Sequence, residues 1–123
     1  MKPFTNRRQI GIAARRIARE FRPERIILFG SYARGTAKPD SDVDLLVVAR
    51  TTRPLSLAGR ILWSLAGQFP ADILVRTPRE MERAELDRDS FITEVLSTGE
   101  VLYAARRSRV GAKGRGRLPR RAS

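Results

Sequence analysis

Apolar positions near the N-terminus recur at helical spacing. Ile10, Ala13, Ala14, Ile17, Ala18 and Phe21 follow an i, i+3, i+4, i+7 pattern, and Arg15, Arg16 and Arg19 fall largely on the other side. This predicts an amphipathic helix capped by Thr5 or Asn6 and ended at Pro23. Residues 25–29 form a short apolar run between Pro23 and Gly30, too short for a helix and suited to a strand. Residues 30–41 are rich in turn formers and read as a connection without a helix. The continuous apolar run at 43–49 reads as a buried strand. Pro54 precedes a second helix over about 55–68, with Leu57, Ile61, Leu65 and Trp63 toward the core. Residues 71–76 form a third strand. Thr77-Pro78-Arg79-Glu80 carries a cap, a proline at the first helical position and a glutamate at the third, and predicts a helix to about residue 88. Asp89 or Ser90 caps a last helix through Phe91, Val95 and Leu96, stopped at Thr98-Gly99. Residues 101–104 close the pattern as an edge strand. The order α-β-β-α-β-α-α-β, with its short first β–β connection, allows antiparallel or mixed pairing.

The second strand opens with two carboxylates. Residues i and i+2 of a strand share a face, so Asp42 and Asp44 project together while Val43 points away. Adjacent carboxylates repel unless a cation sits between them. Just upstream, Gly30-Ser31-Tyr32-Ala33-Arg34-Gly35 forms a small-residue turn after the first strand. Asp72 opens the third strand. If that strand lies beside the second, three carboxylates gather into a two-metal site for phosphoryl or nucleotidyl transfer. Asp42 and Asp44 would then bridge the metals and hold a triphosphate. Asp72 would bind the catalytic metal and take the proton of the acceptor hydroxyl. Gly30 would let the backbone approach the phosphates, Ser31 and nearby amides would cradle them, and Arg34 would neutralise charge. Each feature alone has an ordinary explanation in loop capping, turn chemistry or surface charge. Their combination carries the inference. The turn matches neither a dinucleotide-binding glycine pattern nor a phosphate-binding P-loop.

Composition narrows the chemistry. The 123 residues contain neither Cys nor His. That removes the usual ligands of zinc and copper, a histidine base and cysteine nucleophiles. Carboxylates select hard cations, Mg²⁺ with Mn²⁺ as the alternative. The net charge of +12 is uneven. Residues 105–123 hold eight basic residues and no acidic one, and 17 basic residues against 13 acidic remain elsewhere. Glycines and a proline make that segment a poor helix or strand. It reads as a disordered solubilising tail, or as an arm for nucleic acid or an acidic surface. No apolar run approaches the ~20 residues of a membrane span, and no signal-peptide pattern is present. The expectation is a cytoplasmic protein with one domain at 1–104 and a basic tail at 105–123.

With Phe29-Gly30-Ser31 followed by Asp42-Val43-Asp44, the chain resembles the DNA polymerase β nucleotidyltransferase superfamily. The string Gly-Ser-Tyr-Ala-Arg-Gly…Ser-Asp-Val-Asp-Leu-Leu-Val is most similar to its minimal nucleotidyltransferases, over roughly residues 8–104. Asp72 and the Phe91…Leu102-Tyr103 ending also fit. The resemblance implies an α+β fold, a small mixed sheet flanked by helices. It implies ATP as donor, two Mg²⁺ ions, Asp42, Asp44 and Asp72 as catalytic and metal-binding residues, and Gly30, Ser31, Arg34 and Ser41 at the nucleotide. Many such proteins are antitoxins paired with an HEPN-domain toxin, which they silence by transferring AMP to a tyrosine. About 100 ordered residues leave little room for a second, substrate-presenting domain, which favours a macromolecular acceptor. The alternatives are an antitoxin that masks its toxin by contact alone, through the apolar faces of its first and last helices, a nucleic-acid-associated protein using its tail, and a small-molecule (antibiotic) nucleotidyltransferase.

Overall fold

The computed structural model describes residues 5–106. The basic segment expected at 105–123 therefore falls, from residue 107 onward, outside the described residues. The elements are α1 (Arg7–Phe21), β1 (Arg25–Phe29), α2 (Ser31–Arg34), β2 (Val43–Val48), α3 (Pro54–Ser64), β3 (Ala71–Arg76), α4 (Pro78–Leu86), α5 (Ser90–Thr98) and β4 (Glu100–Ala104).

Local chemistry explains most boundaries. Asn6 caps α1, accepting from the Gln9 amide while the Gln9 side chain accepts from the Asn6 amide. Thr77 and Glu80 make the same reciprocal cap on α4, with Pro78 at its first position. Asp89 caps α5 by accepting from the Ile92 amide.

The strands form one mixed sheet in the order β3-β2-β1-β4. β1 runs antiparallel to β2 and β4, and β2 runs parallel to β3. Alternation along the strands builds two cores. Val43, Leu45 and Val47 face one way with Ile26 and Leu28, under Ile10, Ala13, Ala14 and Ile17 of α1 and Ile61 of α3. Leu46 and Val48 face the other way with Ile27, under Met81 of α4 and Ile92 and Val95 of α5. The fold is α+β, as expected.

Three expectations are corrected. The 30–41 connection contains a one-turn helix, α2, held between Gly30 (φ 75°) and Gly35 (φ 79°). Four residues are too few to show a helical period. The second helix ends at Ser64, short of 68. Leu65, Ala66 and Gln68 instead donate to carbonyls three residues back, and Gly67 (φ 82°) turns the chain. Trp63 does not face the core and is 80% exposed. It lies two residues from the buried Ile61, about 200° around the helix.

Candidate active site

The antiparallel register of β1 and β2 sets Phe29 opposite Asp44. The parallel register of β2 and β3 sets Asp44 beside Asp72. Adjacent strands lie ~4.8 Å apart, so Asp44 has Gly30 near it on the β1 side and Asp72 on the β3 side. Asp42 precedes β2 by one residue. The juxtaposition expected from sequence, third strand beside second and Asp72 beside Asp44, is present.

Asp44 is the half-buried member, while Asp42 and Asp72 are exposed. Burial, reinforced by the charges of Asp72 and Asp42, holds the Asp44 carboxyl above its ordinary range, with Arg34 opposing. Like charge is thus concentrated at one end of the sheet. Among the described residues, no three acidic side chains converge into a ready-made metal-holding group. The backbone aligns the three aspartates, but their side-chain oxygens do not meet. Their chemistry still fits a hard cation: the donors are carboxylate oxygens, and the repulsion felt by Asp44 is what a divalent ion would relieve.

Gly30 shapes the same point. Its backbone (φ 75°, ψ −154°) occupies a region essentially reserved for glycine. A Cβ there would run into the Asp44 carboxylate, with Asp44 Cγ only 3.0 Å away. The Gly30 carbonyl accepts from the Ala33 and Arg34 amides, and the leading amides of α2 have no side-chain cap. Ser31 is half-buried at the start of α2. Arg34 lies 3.9 Å from Glu94 of α5, an exposed and weak pairing. Ser41 acts locally. Its Oγ accepts from the Lys38 amide at 2.8 Å, and its amide donates to the Lys38 carbonyl. These two bonds close the turn that delivers Asp42.

A cavity of about 170 Å³ adjoins the carboxylates between β1, α2 and α5, lined by Phe29, Gly30, Arg34, Phe91, Glu94 and Val95 among others. Phe91 and Glu94 were not among the candidate site residues from sequence. Phe91 had one signal, an aromatic beside rather than on the Ile92–Val95 core stripe. Glu94 had none, because only the docking of α5 on β1 brings it to the site.

A family model described as nucleotidyltransferase domain matches residues 12–103. A 25-residue segment is 80% identical to a candidate protein adenylyltransferase of Methanocaldococcus jannaschii, covering 20% of this chain and 17% of that protein. Among solved structures, the chain resembles one in a toxin–antitoxin crystal structure with AMP-PNP, at TM-score 0.50 and 23% identity over 78% of this chain and 74% of the other. A structure of a toxin–antitoxin MntA-HpeT mutant gives TM-score 0.49 at 22% identity over the same shares. At 23% identity the first of these likenesses is one of fold. No helix among the described residues is long and apolar enough to cross a membrane.

Proposed function

The chain belongs to the nucleotidyltransferase domain family, and from that premise we propose that it transfers AMP from ATP to a hydroxyl, a tyrosine, of a partner protein in the cytoplasm. The partner proposed is an HEPN-type toxin, with this chain as its antitoxin. One observation carries the reading. Asp44 stands in register with Asp72, with Asp42 two residues before it, directly against a glycine that no other residue can replace without strain. The short match to a candidate protein adenylyltransferase supports a protein acceptor.

Asp42, Asp44 and Asp72 would hold two Mg²⁺ ions. When bound, these supply charge neutralisation on the attacking and leaving oxygens of an in-line displacement. The acceptor oxygen forms a bond to the α-phosphorus as the bond to the β-phosphate bridging oxygen breaks, and pyrophosphate leaves. Asp72, exposed at the open side of the sheet, takes the acceptor proton. Gly30 lets the Asp44 carboxylate close on the backbone, and Ser31 with the uncapped amides of α2 receives the phosphate oxygens. Arg34 adds a guanidinium fork. Ser41 acts through the turn that positions Asp42.

The test incubates the chain with ATP, Mg²⁺ and the product of the adjacent gene, and reads the partner's mass. Wild type should add one AMP unit or more, and the Asp42→Asn/Asp44→Asn double variant should add none. Equal modification by the variant would sink the mechanism. Neutralisation of the partner in cells by the variant would favour masking by contact.

A further inference from the structure

We propose that the cleft between β1, α2 and α5 receives the base of the donor nucleotide, with Phe91 as its stacking surface and Glu94 as an acceptor at its rim. The proposal rests on the nucleotidyl-transfer reading and adds base recognition to it. The cleft's size fits this occupant. Pockets for whole drug-sized ligands run ~300–1,000 Å³, whereas about 170 Å³ suits one ring system. Its walls suit a ring as well. Phe29 and Phe91 meet edge to face, 5.6 Å between centroids and 83° between planes. Phe91 remains 41% exposed, so aromatic surface is available to a ligand.

Strand order assigns the cleft to the donor rather than the acceptor. Gly30 lines the cleft and abuts the Asp44 carboxylate. Arg34, four residues on at the end of α2, lines it too. The cleft is therefore continuous with the carboxylates on the β1 side. Asp72, the group that takes the acceptor proton, lies on the opposite side of Asp44, on β3. A molecule spanning carboxylates and cleft runs away from Asp72, as the donor must.

Glu94 sets the selectivity. Its carboxylate offers acceptors only. At 3.9 Å the Arg34 pairing exceeds hydrogen-bond distance, leaving acceptor capacity unused. An exocyclic amine (adenine, guanine, cytosine) projects its donor clear of the ring, whereas uracil's one ring donor, N3–H, lies between two carbonyl oxygens that repel a carboxylate, so such a rim favours the amine-bearing bases over uracil.

Calorimetric titration of the full chain, with Mg²⁺, would compare a non-hydrolysable ATP analogue, its uridine counterpart and inorganic tripolyphosphate. Loss of one stacking contact typically costs ~1–3 kcal/mol. Phe91→Ala should weaken the ATP analogue by about 5- to 150-fold and leave tripolyphosphate unchanged. Phe91→Tyr should keep the affinity, and Glu94→Gln should narrow the preference for adenine over uracil. Undiminished ATP-analogue binding by Phe91→Ala overturns the subsite and leaves the transferase reading standing. Equal weakening of the ATP analogue and tripolyphosphate also overturns it, as a structural effect. An unchanged base preference in Glu94→Gln overturns the rim assignment. Wild type binding neither ATP analogue nor tripolyphosphate overturns both readings.

Discussion

Gly30 and Asp44 form the tightest constraint in the site. Gly30 sits at φ 75° and ψ −154°, and its missing Cβ leaves the space that the Asp44 carboxylate fills. Backbone strain in this region costs of order 1–3 kcal/mol for other residues. Gly30→Ala should therefore lower unfolding stability by about that amount, measured by urea denaturation, and should reduce AMP transfer by more than the lost folded fraction explains. Asp44 carries the opposite cost. Its pKa is raised in the fold, so the protonated form is favoured there. Its contribution to stability is present below the unfolded-state value and is lost as pH rises through the raised folded value. Without divalent ions, Asp44→Asn should melt higher than wild type at neutral pH, and the difference should vanish on acidification. Added Mg²⁺ should raise the melting temperature of wild type and have little effect on the variant. A variant that melts no higher at neutral pH would remove the repulsion from the account.

Elements were legible where one local rule decides them. β1 and β3 match the expected spans, and the caps of α1, α4 and α5 follow from single side chains at Asn6, Thr77 and Asp89. Asp42 and Asp44 were legible because alternation needs only local backbone. Asp72 was legible only given the pairing of β3 with β2, which the sequence allowed without requiring. What stayed hidden depends on length or tertiary packing. α2 is too short to show a period. α3 gives way to turns before Gly67, whose positive φ is invisible in a hydropathy pattern. Gly99 was expected only as a helix stop. It is also a packing position, where a Cβ would meet the Val95 carbonyl at 2.5 Å and Ile27 Cγ2 at 2.9 Å. That contact seats α5 against β1 and so forms the wall that brings Phe91 and Glu94 to the cleft. No local pattern could report it.

Across the molecule, charge divides by layer. α1 and α3 carry Arg7, Arg8, Arg15, Arg16, Arg19 and Arg60 against Glu20 alone, whereas α4 and α5 carry Glu80, Glu82, Glu85 and Glu94 against Arg79 and Arg83. The carboxylate site opens on the acidic side of the sheet. β4 closes the sheet against β1, and the Ala105 amide donates to the Glu24 carbonyl at 2.9 Å. Among the described residues this is the last contact of the sheet, and the division proposed at 104 predicts that a chain truncated after residue 106 keeps its melting temperature and the proposed AMP transfer. It should elute from heparin at lower salt, because six arginines and one lysine are removed. Loss of folding on truncation would overturn the division at 104. In the proposed reaction the aligned aspartates serve the transfer of a nucleotidyl group and not of a phosphoryl group. Parallel reactions with α-labelled and γ-labelled ATP, Mg²⁺ and the partner test it most directly. The expected result is label on the partner from the α-position only, with release of pyrophosphate. Label from the γ-position, or no label from either while the partner binds, would contradict it.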